Sequence, residues 1–447
     1  MSSSKKIWYH QIYNFIRREL RWLAPGIGVK RWVALILTGT TLLAVGSTLL
    51  LLDIYRTAPD NWLLPVISVI SLRFLSRPIR VLIFGSIGIG IILWGMWGLN
   101  RSLLVAFIKP GRHVVDTISS FRRRERGPRI VVIGGGMGLS ALLRGLKYYT
   151  NNLKAIVTVA DDGGSSGELR KSIGILPPGD IRNCLAALSD DEELITQIFK
   201  YRFAAGAGLN GHSLGNLFIT ALTDITGSFE EAIAESGRVL AVRGEVLPST
   251  LHDVRLVADI QLPLEAGQIQ VKGESQIPKV NGRVKRIWLE PNNPLAFPPA
   301  IQAILSADLI LIGPGSLYTS ILPNLLVPDL AEALRSSKAL KFYVCNVATQ
   351  PGETDGYSSL DHLATLEKHL GDGLFDLVIC NQNTIADLPS DLSWVKAESE
   401  LEENYAVYAA DLVDEKYPWR HDSKKVSQVI MDLFYERTGP LVYKEEF

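Results

Sequence analysis

Two stretches of this chain carry no charged side chain: Trp32 to Leu52, 21 residues, and Val81 to Leu99, 19 residues. At about 1.5 Å of rise per helical residue, each is long enough for a hydrocarbon core of roughly 30 Å. Soluble helices seldom run two turns without a charge on some face, which argues against two buried core helices. A cleaved leader fits poorly, because the first run starts only at Trp32 and ends in no small-x-small site. Between the runs, Trp62 to Leu72 offers 11 uncharged residues interrupted by Pro65. That is too short to cross and suits an interfacial or re-entrant segment. Residues 1–128 are therefore expected to form a membrane anchor, with helices at about 32–52 and 81–99, and residues 129–447 a separate body.

The net charge of zero hides a split. Residues 1–129 hold 19 Lys/Arg against 5 Asp/Glu, a net of +14, and residues 130–447 hold 27 against 41, a net of −14. A uniformly basic nucleic-acid binder is excluded by that pattern, so no nucleic-acid partner is expected. The basic flanks suit anionic headgroups instead. Seven Lys/Arg lie before the first run, four between the runs and eight in residues 100–129. The excess at both ends predicts a multi-pass plasma-membrane protein with its termini and its soluble body on the cytoplasmic side. Cys184, Cys345 and Cys380 are isolated, with no CxxC pair. A disulfide framework and a zinc ribbon are thereby disfavoured, and a reducing compartment fits.

From Arg129 the pattern changes to short apolar runs separated by helical stretches. Arg129 to Ile133, Ala155 to Ala160, Leu309 to Ile312, Lys341 to Cys345 and Leu374 to Cys380 are nearly continuous in apolar residues. Strands covered on both faces of a parallel sheet read this way. The expected fold is a Rossmann-like, doubly wound, mainly parallel α/β sheet. Arg238 to Glu290 has shorter, alternating runs with Gly, Pro and Asn-Gly between them, and predicts an antiparallel excursion.

The ends of these strands carry the chemistry. Gly134-Gly135-Gly136-Met137-Gly138-Leu139-Ser140 follows a strand and opens a helix, a placement that turns backbone N–H groups toward a phosphate. Gly136, Gly138 and Ala141 also satisfy G-x-G-x-x-A, with Asp161 20 residues on, so a dinucleotide site, and with it an NAD-dependent oxidoreductase, is one reading. Asp161 and Asp162 can accept from ribose hydroxyls or hold Mg²⁺ through water. The following Gly163-Gly164-Ser165-Ser166-Gly167 reads as a second anion cradle or as an acidic turn with serine caps. In Pro177-Pro178-Gly179-Asp180-Ile181-Arg182-Asn183, Asp180 is expected to cap a helix beginning near Ile181, while Arg182 or Asn183 faces a ligand. Gly211-His212-Ser213-Leu214-Gly215-Asn216 spells G-x-S-x-G but lacks the preceding strand of a nucleophile elbow. It suits anion or sugar contacts at the start of a helix over Leu217 to Leu222. A third glycine loop, Gly313-Pro314-Gly315-Ser316-Leu317-Tyr318-Thr319-Ser320, again ends a strand. Together with the first it is placed to converge on one crevice, with Asn346 and Gln350 following the next strand.

These six motifs, the last being Cys345-Asn346-Val347-Ala348-Thr349-Gln350-Pro351-Gly352-Glu353-Thr354, resemble in content and order the YvcK gluconeogenesis factors. That family is related to CofD, the 2-phospho-L-lactate transferase of deazaflavin cofactor synthesis, and the resemblance covers about residues 129–425. It implies a UDP-sugar ligand, notably UDP-N-acetylglucosamine, and a regulatory role in cell-wall precursor supply and cell shape on gluconeogenic carbon. It implies phosphate-facing loops at Gly134 to Ser140, Gly163 to Ser166 and Gly313 to Ser316. A ligand-contacting arginine of relatives matches Arg420, and the nearest aromatic to a neighbouring tyrosine is Trp394. Partners would be the nucleotide sugar, the membrane and proteins of wall synthesis, with a homo-oligomer also compatible. The resemblance establishes no reaction; the enzymatic alternative is a CofD-like transferase with a nucleotide diphosphate donor and Mg²⁺ near Asp161 and Asp162.

The Lys/Arg distribution generates a direct test. Protease added outside intact spheroplasts should leave residues 129–447 whole. Digestion of that region without lysis overturns the two-crossing topology and the cytoplasmic placement together.

Overall fold

A computed structural model describes residues 124–439 except 191, 207, 264–266, 399–400 and 403–404, and before them 75–104 with scattered positions from 37 to 72. The chain divides into two compact units, Met1–Arg123 and Arg124–Phe447.

In the first unit the main described element is helix α1, Arg77–Leu104. Its side chains are described without a break from Leu82 to Trp94, and Leu82, Ile87, Ile89, Ile91, Leu93 and Trp94 are all exposed. The described positions between Leu37 and Thr48 are also helical and exposed. Among the described residues no helix is long and apolar enough to cross a membrane. The two crossings expected from the sequence thus find no support here, and Trp62 to Ser71 lies outside the described residues.

The second unit is built on a seven-stranded sheet in the order β10-β9-β8-β7-β1-β2-β3. Its strands are β1 Ile130–Gly134, β2 Leu153–Val157, β3 Glu245–Pro248, β7 Leu309–Ile312, β8 Leu340–Val344, β9 Leu377–Asn381 and β10 Val407–Ala410. Every neighbouring pair is parallel. β1, β7 and β9 are buried at every position, which is why their sequences are apolar without alternation. Among the described residues, the α-helices of nine or more residues in this unit are α2 Gly136–Leu146, α3 Gly164–Ile173, α4 Gly179–Leu188, α5 Glu192–Lys200, α6 Leu214–Thr226, α7 Phe229–Val239, α8 Pro298–Ser306, α9 Pro328–Ser336, α10 Ser359–Leu370 and α11 Ser423–Thr438.

From β1 the chain runs outward through β2 to β3, then returns to the other side of β1 and runs outward again through β7 to β10. The direction reverses between β1 and β7, and at such a switch point an open sheet leaves a crevice beyond its carboxyl ends. The antiparallel excursion is a separate three-stranded sheet, β5-β4-β6, of β4 Arg255–Gln261, β5 Gln268–Lys272 and β6 Arg283–Glu290. It starts later than the sequence pattern suggested. Val246 and Leu247 are buried in the parallel sheet beside β2, so that stretch of the expected excursion belongs to the main core.

Polar contacts fix how the layers meet. At the amino end of β1, Arg129 holds Asp308 through its backbone N–H at 2.8 Å and its Nη2 at 2.6 Å. This sets the register of β1 against β7. α2 packs on α4 and α11. The buried Lys147 at its end donates to the carbonyls of Ala187 and Ser189 at the end of α4, 2.8 and 3.0 Å away, where a helix carries unsatisfied acceptors and partial negative charge. On the opposite face of α2, Gly145 lies so close to α11 that a β-carbon there would overlap the Ser423 carbonyl and the Ser427 side chain. Gly145→Ala is therefore expected to destabilise the protein by about 1–3 kcal/mol despite its better helix propensity. Thermal unfolding of the variant at unchanged Tm would show that α11 is not held this tightly.

Candidate functional site

The two glycine loops at the switch point touch. A β-carbon at Gly138 would meet the Pro314 carbonyl oxygen at 2.5 Å, and one at Gly315 would lie 3.3 Å from the Gly135 oxygen. Helix α2 opens inside the first glycine run, at Gly136 with φ +65°. That left-handed residue turns the chain straight from strand into helix. Its cap residue, Gly135, supplies no side-chain hydrogen bond. The third loop is held by Asn346, whose amide exchanges two hydrogen bonds with Gly315, at 3.1 and 2.9 Å. Gln350 donates to Ser316 Oγ at 2.6 Å. The buried Asn324 amide donates to the Gly134 and Ser320 carbonyls at 3.0 and 2.8 Å, fixing the end of β1 to the turn after β7.

Above these loops lies a cavity of about 700 Å³. Of the residues singled out in the sequence, Gly135, Gly136, Gly138, Ser140, Asn183, Gly315, Ser316, Asn346 and Arg420 line it. Gly134 and Gly313 end strands directly beneath. Thr319 is buried and donates to Glu353 Oε1 at 3.0 Å, so it acts through a lining residue.

The remaining candidates form a layer behind the wall. Asp161, Asp162, Gly163, Gly164, Ser165, Ser166, His212, Ser213 and Asn216 are not lining residues. Gly163 to Ser166 is the start of α3, with Gly163 as its cap position and no side-chain cap. Ser165 Oγ accepts from Asn216 Nδ2 at 3.1 Å and faces His212 Nδ1 at 3.1 Å. Ser213 is the N-cap of α6 and receives Asn216 N–H at 3.3 Å, so the helix begins at Leu214 rather than at Leu217. This network grips Arg182, which donates to Ser213 Oγ at 2.6 Å and Asn216 Oδ1 at 3.0 Å and lines the cavity. Gly215 leaves room for it: a β-carbon there would come within 2.7 Å of Arg182 Cδ. The His-Ser-x-Gly-Asn motif thus positions a cation instead of meeting the cavity itself.

Asp180 differs from expectation as well. Helix α4 already begins at Gly179 without a side-chain cap, and Asp180 reaches across to the Gly136 N–H at the opening of α2. Full burial, followed by the nearby Asp161 charge, pushes its carboxyl up to about 7. Burial and neighbouring carboxylates push Glu274, on the 3₁₀ turn Glu274–Lys279 beyond β5, up to about 8. Burial alone lifts Glu353 to about 7, and its Oε2 has no hydrogen-bond partner. Asp161 and Asp162 do not converge on a shared point. Asp161 accepts from Gly163 N at 2.8 Å, while Asp162 accepts from Ser275 N at 2.9 Å on the excursion. Among the described residues no group of three His, Cys, Asp or Glu is placed to hold a metal ion.

Several lining residues escaped the sequence reading, Arg144, Lys200, Glu353 and Tyr417 among them. Tyr417 carries the Arg420 guanidinium 5.2 Å above its ring. It is the aromatic neighbour of that arginine in the cavity, whereas Trp394 bridges to Ala348 and is not a lining residue. Its signal was the spacing Tyr417-x-x-Arg420 around a turn, with Arg420 N–H donating to the Tyr417 carbonyl at 2.8 Å. Glu353 carried no signal beyond its place in the Pro-Gly-Glu-Thr motif.

The model of the CofD family, 2-phospho-L-lactate transferase CofD, matches residues 130–434. A protein of Nostoc sp. strain PCC 7120 is 48% identical over 381 residues, covering 83% of this chain and 80% of its own. That match is longer than residues 124–447, so it reaches into the N-terminal unit. The gluconeogenesis factor of Bacillus subtilis strain 168 is 46% identical over 324 residues, covering 69% of this chain and 99% of its own. The crystal structure of a UPF0052-family protein from Bacillus halodurans, 45% identical, superposes with a TM-score of 0.64 over 68% of this chain and 99% of that one.

The buried acids set a pH dependence. Glu353 holds its proton in the folded chain up to about pH 7, against an ordinary value of 4.5. The folded state thus binds the extra proton between those values, and stability falls as pH rises through that window. Glu353→Gln should remove on the order of 3 kcal/mol of that fall. Denaturant unfolding at pH 5 and pH 8 checks it. Equal slopes against pH in wild type and variant would place the fall on other groups.

Proposed function

We propose, since the chain belongs to the CofD family and to the gluconeogenesis factors within it, that its crevice binds a UDP-sugar, UDP-N-acetylglucosamine foremost. The observation that carries this is the contact of two strand-ending glycine loops at the switch point of the sheet, under a cavity of about 700 Å³. The opening of α2, where Asp180 meets the Gly136 N–H and the cap residue Gly135 brings no side chain, offers its further backbone N–H groups to a diphosphate. Arg420 stacked on Tyr417 offers a charged and an aromatic surface to the nucleoside. The role is that of a regulator of wall-precursor supply and cell shape on gluconeogenic carbon, acting with wall-synthesis proteins.

The same reading tethers the body to the cytoplasmic face of the plasma membrane. The exposed apolar side chains of α1 and the basic flanks of both uncharged runs support it. Transferase chemistry through Mg²⁺ on Asp161 and Asp162 is the poorer reading, because those carboxylates are engaged by separate backbone groups.

Calorimetric titration of UDP-N-acetylglucosamine into the detergent-solubilised full chain tests the ligand. Saturable binding is expected, weakened at least tenfold by Arg420→Ala, about 1.4 kcal/mol. No binding at millimolar ligand overturns the proposal.

A further inference from the structure

Helices α5 and α6 pack on one another and are joined by a closed turn. At the base of that turn the Leu214 and Phe203 N–H groups donate to the Tyr201 and His212 carbonyls at 2.9 and 3.1 Å. Phe199 and Phe218 stack between the helices, with ring centres 5.6 Å apart. Inward, α6 buries Gly215, Asn216 and Ile219. Outward, it presents Leu214, Ala221 and Ile225, the last 77% exposed, at the i, i+7 and i+11 positions of one face. α5 adds Leu194, Ile198 and Tyr201, the first and last of which are 52% and 56% exposed. The two apolar sides meet where Leu214 bonds to Tyr201. The 13 residues of α6 include one charge, Asp224. A helix apolar on every side belongs in an interior, yet one side of this helix faces water. Continuous exposed apolar surface of this kind marks a place of association.

The charges beside this face indicate what covers it. α5 follows the acidic run Asp190-Asp191-Glu192-Glu193 and is succeeded by a cation, Arg202. Glu193 and Arg202 are both exposed. They stand nine residues apart, about 13 Å at helical rise. Arg202 donates to the Gly211 carbonyl at 2.7 Å, a neutral acceptor that leaves its positive charge in place. Leu194 and Ile198 lie between the two charges. Such an arrangement is complementary to itself. A second copy, turned about a two-fold axis near Gln197 and Ile198, sets each Glu193 against the other copy's Arg202 and each apolar side chain against its counterparts. A lipid surface is a poorer match. A helix lying on a bilayer carries cations along its rim, whereas Glu193 and Asp224 flank the apolar residues here.

We propose that the α5–α6 face is the surface on which two copies of this chain associate, about a two-fold axis near Ile198. Thr196 and Phe199, on the other side of α5, line the cavity. The association therefore braces one wall of the site. It stands apart from the identity of the ligand.

Sedimentation velocity of the full chain in a detergent of neutral headgroup, at a series of protein concentrations, tests this. A monomer–dimer equilibrium is expected. Ile198→Glu, at an exposed position, should leave thermal unfolding unchanged and weaken the dimer about a hundredfold, tenfold for each of its two copies in the contact. Glu193→Arg and Arg202→Glu should each weaken it as well. An equimolar mixture of those two variants should associate again, because the heterodimer alone places opposite charges together at both ends of the contact. The mixing experiment carries the test by itself if Ile198→Glu alters unfolding. A chain that stays monomeric at every concentration overturns the proposal, as does a dimer that Ile198→Glu leaves intact. A mixture that associates no better than either variant alone overturns the two-fold arrangement.

Discussion

The close approach of Gly138 to Pro314 and Gly315 is the constraint on which the rest of the second unit turns. It exists because β1 and β7 are neighbours in the sheet and both end in glycine at the same level. A side chain on either loop would hold them apart. The polar groups nearby serve to keep this approach: Asn346 clasps Gly315, and Asn324 clasps Gly134. At the far end of the same two strands, Arg129 clasps Asp308. The crevice is thus fixed from its floor upward, and its walls are whatever α2, α4 and the later loops bring to the rim.

The parallel core was legible because strands buried on both faces have no reason to alternate, and Ile130 to Ile133 or Leu309 to Ile312 cannot easily be anything else. The edge strand β10 was not legible: Val407–Ala410 is half exposed, and its side chains resemble those of any turn. The site was legible in part for a related reason. Glycine next to a strand end signals close backbone approach, but composition does not say what approaches. Gly134 to Gly138 meets another loop under a cavity, whereas Gly163 to Gly167 meets the carbonyl of Asp162 and opens a helix behind the wall. Asp180 looked like a cap for its own helix because sequence reveals only local partners. Its actual partner is the opening of α2, which the fold alone brings near.

Net charge is a poor guide to the sign of the site. Residues 130–447 carry 14 more acids than bases. Two acids near the crevice, Asp180 and Glu353, are buried and hold their protons to about neutral pH. The cations Arg144, Arg182, Lys200 and Arg420 reach the lining together with Asp414. A body that repels anions at long range can therefore still accept one at close quarters. What decides is which groups are desolvated and which are presented, not their sum.

The central position of the first strand shapes how the protein is made. β1 leaves the ribosome early and pairs with β2 soon after, but its other neighbour starts only after Asp308, 179 residues beyond Arg129. At about 5–20 residues per second, the Ile130 to Ile133 edge waits roughly 10–35 s for β7 to emerge. During that time it is an apolar strand with open hydrogen-bonding groups, the kind of edge that recruits other chains. Synthesis of this protein thus includes a vulnerable interval, bounded by two codons far apart in the message, for the strand that later lies at the middle of the sheet.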